Sequence, residues 1–341
     1  MKNKEQILSL LRMPPPNTGM TIMNKLTIDY IKLNFQKVDL VNLNSKFLIL
    51  NLFIFLLKNL NSKTVLYTSA PVNLFGFYIV VLINFVIRPR KIFLHIHNRS
   101  YNIFKSKKIV SRVLNQMNEI YLSKFLVDVP SKNYFIIPNT IRPDLEKYSC
   151  VNLDKRDSGK TLRILFLSNF IKSKGYLVLL QSLHLLSQKS NLNFTCDFIG
   201  AWNNKNDKNE FKTLVKKFDF SGKIRLLNKT SSAENISNIY INSDLLVLPT
   251  KYKHEAFPVV TIEALAFGLG ILGTRVGGIN EVIKEGKNGF FISANEEDIC
   301  DKIIKFSRLN KKEVYKFSTK LYANKYSNKI YFDNFKKILF E

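Results

Sequence analysis

The sequence predicts an α/β protein of two Rossmann-like domains, and three observations carry that prediction. Short apolar runs of strand length alternate with helix-length patterns, the signature of parallel sheets wrapped by helices. A strand, polar loop and helix open the chain and recur from residue 162. The length, 341 residues, accommodates two domains, and 46% hydrophobic with 23% charged residues is a globular composition.

In order, residues 6–12 (QILSLLR) read as the first strand, and PPPNTGM turns into an amphipathic helix over about 20–35. Strands are predicted at 37–42, 64–68 and 91–96, with helices at 46–58 and 73–87. The longest apolar run, Leu74–Ile87, contains Asn84 and is shorter than the roughly eighteen residues a membrane span requires, so it reads as a buried helix. Strand 91–96 delivers His95 and His97 to its carboxyl end, where open α/β sheets place ligands. The two histidines share a side, and either can be no more than a packed core residue. Helix is expected over 102–118, a short strand and helical turn over 119–127, and a strand over 134–137. The charged, turn-rich segment 142–160 reads as the interdomain linker.

The second domain starts with strand 162–167 and the loop Ser168–Gly175, followed by a helix with apolar positions at 177, 179, 180 and 183. Strand 194–199, helix 207–218, strand 223–227 and helix 231–241 follow. A helix at 296–309 precedes a basic, aromatic-studded helical tail over 311–339. The domains are therefore expected at 1–145 and 160–310, with a tail at 311–341.

The densest run of function-like signals is residues 245–292. Leu245–Leu248 reads as a buried strand, and a polar loop then carries Glu255 into Ala256, Phe257 and Pro258, where a helix should start. Gly268 suits its left-handed stop. The helix is apolar nearly all round except for Glu263, and a carboxylate in such surroundings needs hydrogen-bond donors, which the neighbouring hydroxyls of a ribose would supply. Pro258 suits the first helical position, and the helix start next to Glu255 offers free backbone N–H groups for a phosphate. Gly268, Gly270 and Gly273 also satisfy a dinucleotide fingerprint, but they follow a helix and lead into a strand, the reverse of the required context.

The spacing of Glu255 and Glu263, then Gly-x-Gly-x-x-Gly, Val276-Gly277-Gly278-Ile279-Asn280-Glu281 and Gly286-Lys287-Asn288-Gly289, resembles the retaining glycosyltransferases of family 4, the glycosyl transferases group 1. Ala256 stands where that family often has Gly, and Gly270 where it usually has Pro. The resemblance implies a GT-B architecture, two Rossmann-like domains facing across a cleft, and transfer of a sugar with retention from a nucleotide diphosphate sugar. It gives Glu255 to the sugar hydroxyls, Glu263 to the ribose, the segment Ala256, Phe257, Pro258 and Val259 with its free N–H groups to phosphate, and the strand end at Asn228 to the base. Lys174, before Gly175, matches the family's diphosphate lysine, whereas Asn169 occupies the position of its arginine, so that one cationic contact is absent or supplied by another residue such as Lys172. Of the family's first-loop glycine pair only Gly19 is kept. A histidine near the transferred sugar favours His97, with His95 as the fallback. The run IIPNTI around Asn139 resembles the end of the family's first domain, and the tail is expected to pack back on that domain.

The net charge of +26 is spread over both halves as single lysines, with no nucleic-acid-reading pattern, so nucleic acid is not expected as a partner. The charge suits docking on an anionic membrane to meet a glycan or lipid-linked acceptor, as a cytoplasmic protein peripheral to the inner face. Surface polysaccharide or glycoconjugate biosynthesis is the implied setting. Cys150, Cys196 and Cys300 lack metal-ligand or C-x-x-C spacing, which fits a reducing cytosol. No Asp-x-Asp pair occurs, so no metal or other cofactor is expected, the nucleotide sugar being substrate. The rivals are a nucleotide-sugar epimerase on the same fold and a basic, non-catalytic protein that binds glycan or nucleic acid.

Overall fold

The structure is a computed structural model that describes residues 3–15, 19–60, 64–149, 160–220, 222–228, 230 and 232–340. Residues 150–159 of the expected linker, Cys150 among them, lie outside the described residues. The chain forms two compact units: Met1–Arg142 with His254–Phe257 and Tyr331–Glu341, and Pro143–Lys253 with Pro258–Ile330.

The first unit alternates β1 (Asn3–Leu11), α1 (Gly19–Asn34), β2 (Phe35–Asn42), α2 (Leu48–Lys58), β3 (Thr64–Ser69), α3 (Leu74–Ile87), β4 (Lys91–Ile96), α4 (Ser100–Lys105), α5 (Lys108–Leu114), β5 (Asn118–Tyr121) and β6 (Tyr134–Ile136). Its six strands are all parallel in the order β2-β1-β3-β4-β5-β6. Right-handed crossovers put α1 on one face and α2 and α3 on the other. The end of the chain covers the α1 face: Tyr30 stacks on Phe332 at 4.3 Å, and the Thr27 and Tyr331 hydroxyls are 2.6 Å apart.

Leu74–Ile87 is helical but not a buried helix. Phe77, Val80, Ile83 and Ile87 face the sheet, whereas Leu74, Phe75, Tyr78, Leu82 and Phe85 face outward. An all-round apolar composition does not say whether both faces are covered. The helix expected over 102–118 is two helices, α4 and α5, because Lys107 adopts extended backbone and Asn118 already belongs to β5. Lys105 turns inward there, its Nζ 2.5 Å from the fully buried Glu119 carboxylate.

The second unit holds α6 (Pro143–Glu146), β7 (Leu162–Leu167), α7 (Tyr176–Lys189), β8 (Phe194–Gly200), α8 (Lys205–Lys217), β9 (Ile224–Asn228), α9 (Ala233–Ile241) and β10 (Leu245–Leu248). It continues with α10 (Val259–Ala266), β11 (Gly270–Gly273), α11 (Ile279–Val282), β12 (Gly289–Phe291), α12 (Glu296–Ser307), α13 (Lys311–Lys325) and the start of α14 (Asn328–Phe340). Its strands are parallel in the order β12-β11-β10-β7-β8-β9. Leu245–Leu248 are all buried, as a central strand covered on both faces requires. Asn204, Ser232, Asn295 and Asn310 each cap the helix that follows them with a side-chain oxygen.

Candidate active site

In the second unit the strand order reverses between β7 and β10, the switch point at which such sheets bind ligands. The loop after β7 carries Asn169, exposed, then a short 3-10 turn over Lys172–Lys174. Gly175 closes the turn at φ +85°, and a Cβ there would lie 2.3 Å from the Pro249 carbonyl oxygen. Only glycine meets both demands. The loop is stitched to the segment after β10 by Lys251 N–H donating to Ser173 O (2.7 Å), and Lys174 Nζ sits 4.7 Å from the Tyr252 ring centroid. Thr274, after β11, donates to Thr250 O at 2.6 Å. Lys172 does not replace the missing arginine: its ammonium lies 3.0 Å from Glu210 and 3.6 Å from Asp207, both on α8.

Pro258 directly precedes α10 with extended backbone, one residue outside the helix it was expected to begin. The helix is buried through Thr261, Ile262, Ala264, Leu265 and Ala266, and Gly268 ends its turn at φ +73°. Glu263 is half-buried, and Tyr240 OH donates to its Oε2 at 2.6 Å. Burial first, then the Glu263 charge, pushes the Tyr240 hydroxyl well up, so it stays a donor. Nothing in the local sequence announced Tyr240, which lies on α9, although an inward-facing tyrosine needs a partner for its hydroxyl. At Gly270, where the family usually has Pro, a Cβ would lie 2.1 Å from the Phe306 ring, so α12 occupies the room a side chain would need. Asn228 ends β9.

The other candidates belong to the first unit. Its strand order reverses between β1 and β3, and there a cavity of about 130 Å³ is lined by Arg12, Met20, Ser69, Asn73, His97 and Asn98, with His95 deeper. Gly19 is the first, exposed residue of α1. Tyr67 OH and His95 Nδ1 are 2.6 Å apart, and the His95 and His97 rings lie 4.0 Å apart. The Nε2 atoms of both histidines are buried without a partner. Burial lowers His97 to about 4, and burial with the His97 charge holds His95 well below the usual range, so both are neutral at pH 7. A neutral Nε2 without a partner can accept a hydrogen bond from a ligand hydroxyl. Arg12, the cation at the end of β1, was missed as a site residue although it closes the predicted first strand.

Glu255 is buried within residues 254–257 of the same unit, as are Ala256 and Phe257. Asn139 Nδ2 donates to Phe257 O at 3.0 Å, and Ser100 Oγ lies 2.8 Å from His254 Nδ1. Asn139 of the IIPNTI run thus holds the backbone that carries Glu255. Among the described residues no group of three or more His, Cys, Asp or Glu could hold a metal ion.

Two parallel sheets with polar and titratable residues at their switch points define a class of two-unit α/β proteins, and comparison with known proteins narrows it. The family model described as glycosyl transferases group 1 matches residues 154–325, half of the chain. The chain belongs to this family. A glycosyltransferase from Rickettsia africae ESF-5 matches 99% of both chains with TM-score 0.77 at 20% identity. Anabaena Alr3699/HepE, solved with UDP and glucose, matches 99% of this chain and 100% of its own with TM-score 0.71 at 14% identity. The fold is therefore GT-B. Among curated proteins, the lipopolysaccharide 1,2-N-acetylglucosaminetransferase of Salmonella typhimurium is 26% identical over 218 residues, 60% of this chain and 54% of that protein. The sucrose synthase of Thermosynechococcus vestitus is 34% identical over 98 residues, 27% of this chain and 12% of that protein. The chain thus spans no more than about half the length of these relatives.

Proposed function

We propose that the chain is a retaining, hexosyltransferase-like enzyme that moves a sugar from a nucleotide diphosphate sugar to a glycan or lipid-linked acceptor, without a metal, at the inner face of a membrane. Surface polysaccharide or glycoconjugate biosynthesis is its setting. The observation that carries the reading is the switch point of the second unit, where the Lys174 loop is stitched to the segment after β10 while α10 presents a half-buried Glu263 already oriented by Tyr240. Lys174 and backbone amides would meet the diphosphate, Glu263 the ribose, Glu255 the hydroxyls of the transferred sugar, and the strand end at Asn228 the base. The unpartnered Nε2 of His97 would accept from a sugar or acceptor hydroxyl in the first unit's cavity. The names of similar proteins support the donor class, since the Anabaena protein was solved with UDP and glucose.

As the bond from the anomeric carbon to the phosphate oxygen breaks, negative charge grows on the departing diphosphate, and a fixed cation is worth most at that moment. Lys174→Ala should therefore lower kcat by roughly a hundredfold or more, the scale of losing one such donor. Glu263→Gln removes a contact present before and during reaction, so it should raise donor KM more than it lowers kcat. Both effects should appear in EDTA. Near-normal kcat in Lys174→Ala would remove the lysine from the leaving group, and activity lost in EDTA but restored by Mn²⁺ would overturn the metal-free mechanism.

A further inference from the structure

We propose that the outer face of α2, α3, α4 and α5 is the surface by which this chain inserts shallowly into an anionic bilayer. The inference rests on the membrane reading above and deepens it by naming the face. Four observations carry it.

The first is the face itself. Phe53 and Leu57 on α2 and Phe75, Tyr78, Leu82 and Phe85 on α3 point outward, with Phe85 72% exposed and Phe53 and Phe75 59% each. The inward stripes of the same helices are equally apolar, so the outward one is not a by-product of an amphipathic pattern. The second is continuity. α2 packs beside α3, and Phe77 of α3 meets Phe104 of α4 edge-on at 6.1 Å. Ile103 and Ile109, 69% and 77% exposed, extend the apolar surface onto α4 and α5. Contiguous apolar surface on this scale marks an interaction site.

The third is length. At 1.5 Å per residue α2 and α3 are about 16 and 21 Å long, short of the roughly 30 Å hydrocarbon core. No helix among the described residues is long and apolar enough to cross a membrane. Such helices lie in the interface with the apolar face down.

The fourth is charge, and it selects the occupant. Residues 40–118 contain eleven Lys and Arg and no Asp or Glu. Lys46 and Lys58 flank α2, Arg88 and Arg90 follow α3, and Lys107 and Lys108 precede and open α5, all six exposed. A second copy of the chain would bring the same positive rim to the contact and be repelled. Anionic headgroups around an apolar interior match both parts of the surface.

The test is flotation of the full chain with vesicles of phosphatidylcholine alone or with added phosphatidylglycerol. Binding to the anionic vesicles is expected, weakened but not abolished at high salt because the inserted part is not electrostatic. The combined variant Phe53→Glu, Phe75→Glu and Phe85→Glu should partition at least about tenfold less, whereas Phe→Leu at the same three positions should bind as wild type. These positions are exposed, and circular dichroism checks that the variants fold. Phe85→Trp in a Trp202→Phe background should be quenched by brominated lipid. If wild type binds anionic vesicles and the glutamate variant binds equally well, the face is wrong while the membrane reading stands. If wild type binds no vesicles, both fall. A dimer dispersed by the glutamate substitutions, with no vesicle binding, would give the face to a second copy. Donor kinetics without lipid test the transferase reading separately.

Discussion

His97 shows how burial sets chemistry at a single residue. Its conjugate acid is lowered to about 4 by burial, against an ordinary value near 6.5. Between those values the unfolded chain binds a proton that the folded chain refuses, so the contribution is complete above pH 6.5 and is lost as pH falls toward 4. At pH 5 the loss amounts to at most about 2 kcal/mol. His97→Gln should therefore flatten the fall in melting temperature between pH 7 and pH 5, with the buried His95 still responsible for the remainder. An unchanged slope in the variant would show that His97 is solvated. Which histidine faces a ligand was not legible in a period of two, which puts both on one side of the strand. The structure separates them by depth: His95 lies in the core with Nδ1 against Tyr67 and His97 follows the last strand residue, while both line the cavity.

At the scale of elements, the buried pair of Lys105 and Glu119 ties α4 to β5. The carboxylate also accepts from the hydroxyls of Tyr101 and Tyr121 and from Ser131 N–H. Lys105→Ala would leave a fully buried carboxylate without its cation, a loss of about 3 kcal/mol by denaturant unfolding. Lys105→Met combined with Glu119→Gln should cost less than the single change. A single variant as stable as wild type would mean that water reaches the carboxylate. Strands β4, β7 and β10 lie where the sequence places them, because buried parallel strands are short apolar runs with abrupt ends. The break between α4 and α5 was not legible. No glycine or proline marks it: the backbone turns extended at Lys107, and the ion pair beside the break, Lys105 with Glu119, joins residues fourteen apart. Tyr240 escaped for the same reason, being twenty-three residues from the Glu263 it orients. The outward apolar face of α3 was misread because hydropathy records composition and not what lies against it.

For the molecule as a whole, a distant resemblance over the second unit was enough to identify the family. The first unit keeps Gly19 of the family's glycine pair but has Met20 in place of its neighbour, and its cavity and Arg12 came from the structure. Each unit uses the same device, a parallel sheet whose order reverses beside its first strand. In the proposed function the second unit holds a nucleoside diphosphate through Lys174 and Glu263. Thermal unfolding in EDTA with a panel of nucleoside diphosphates and their sugars tests this most directly. A ligand at a hundred times its Kd stabilises by about 2.7 kcal/mol, which for a unit of this size raises Tm by several degrees. Such a rise is expected for at least one nucleoside diphosphate or its sugar, reduced in both Lys174→Ala and Glu263→Gln. No rise with any of them, or a full rise retained in both variants, would contradict it.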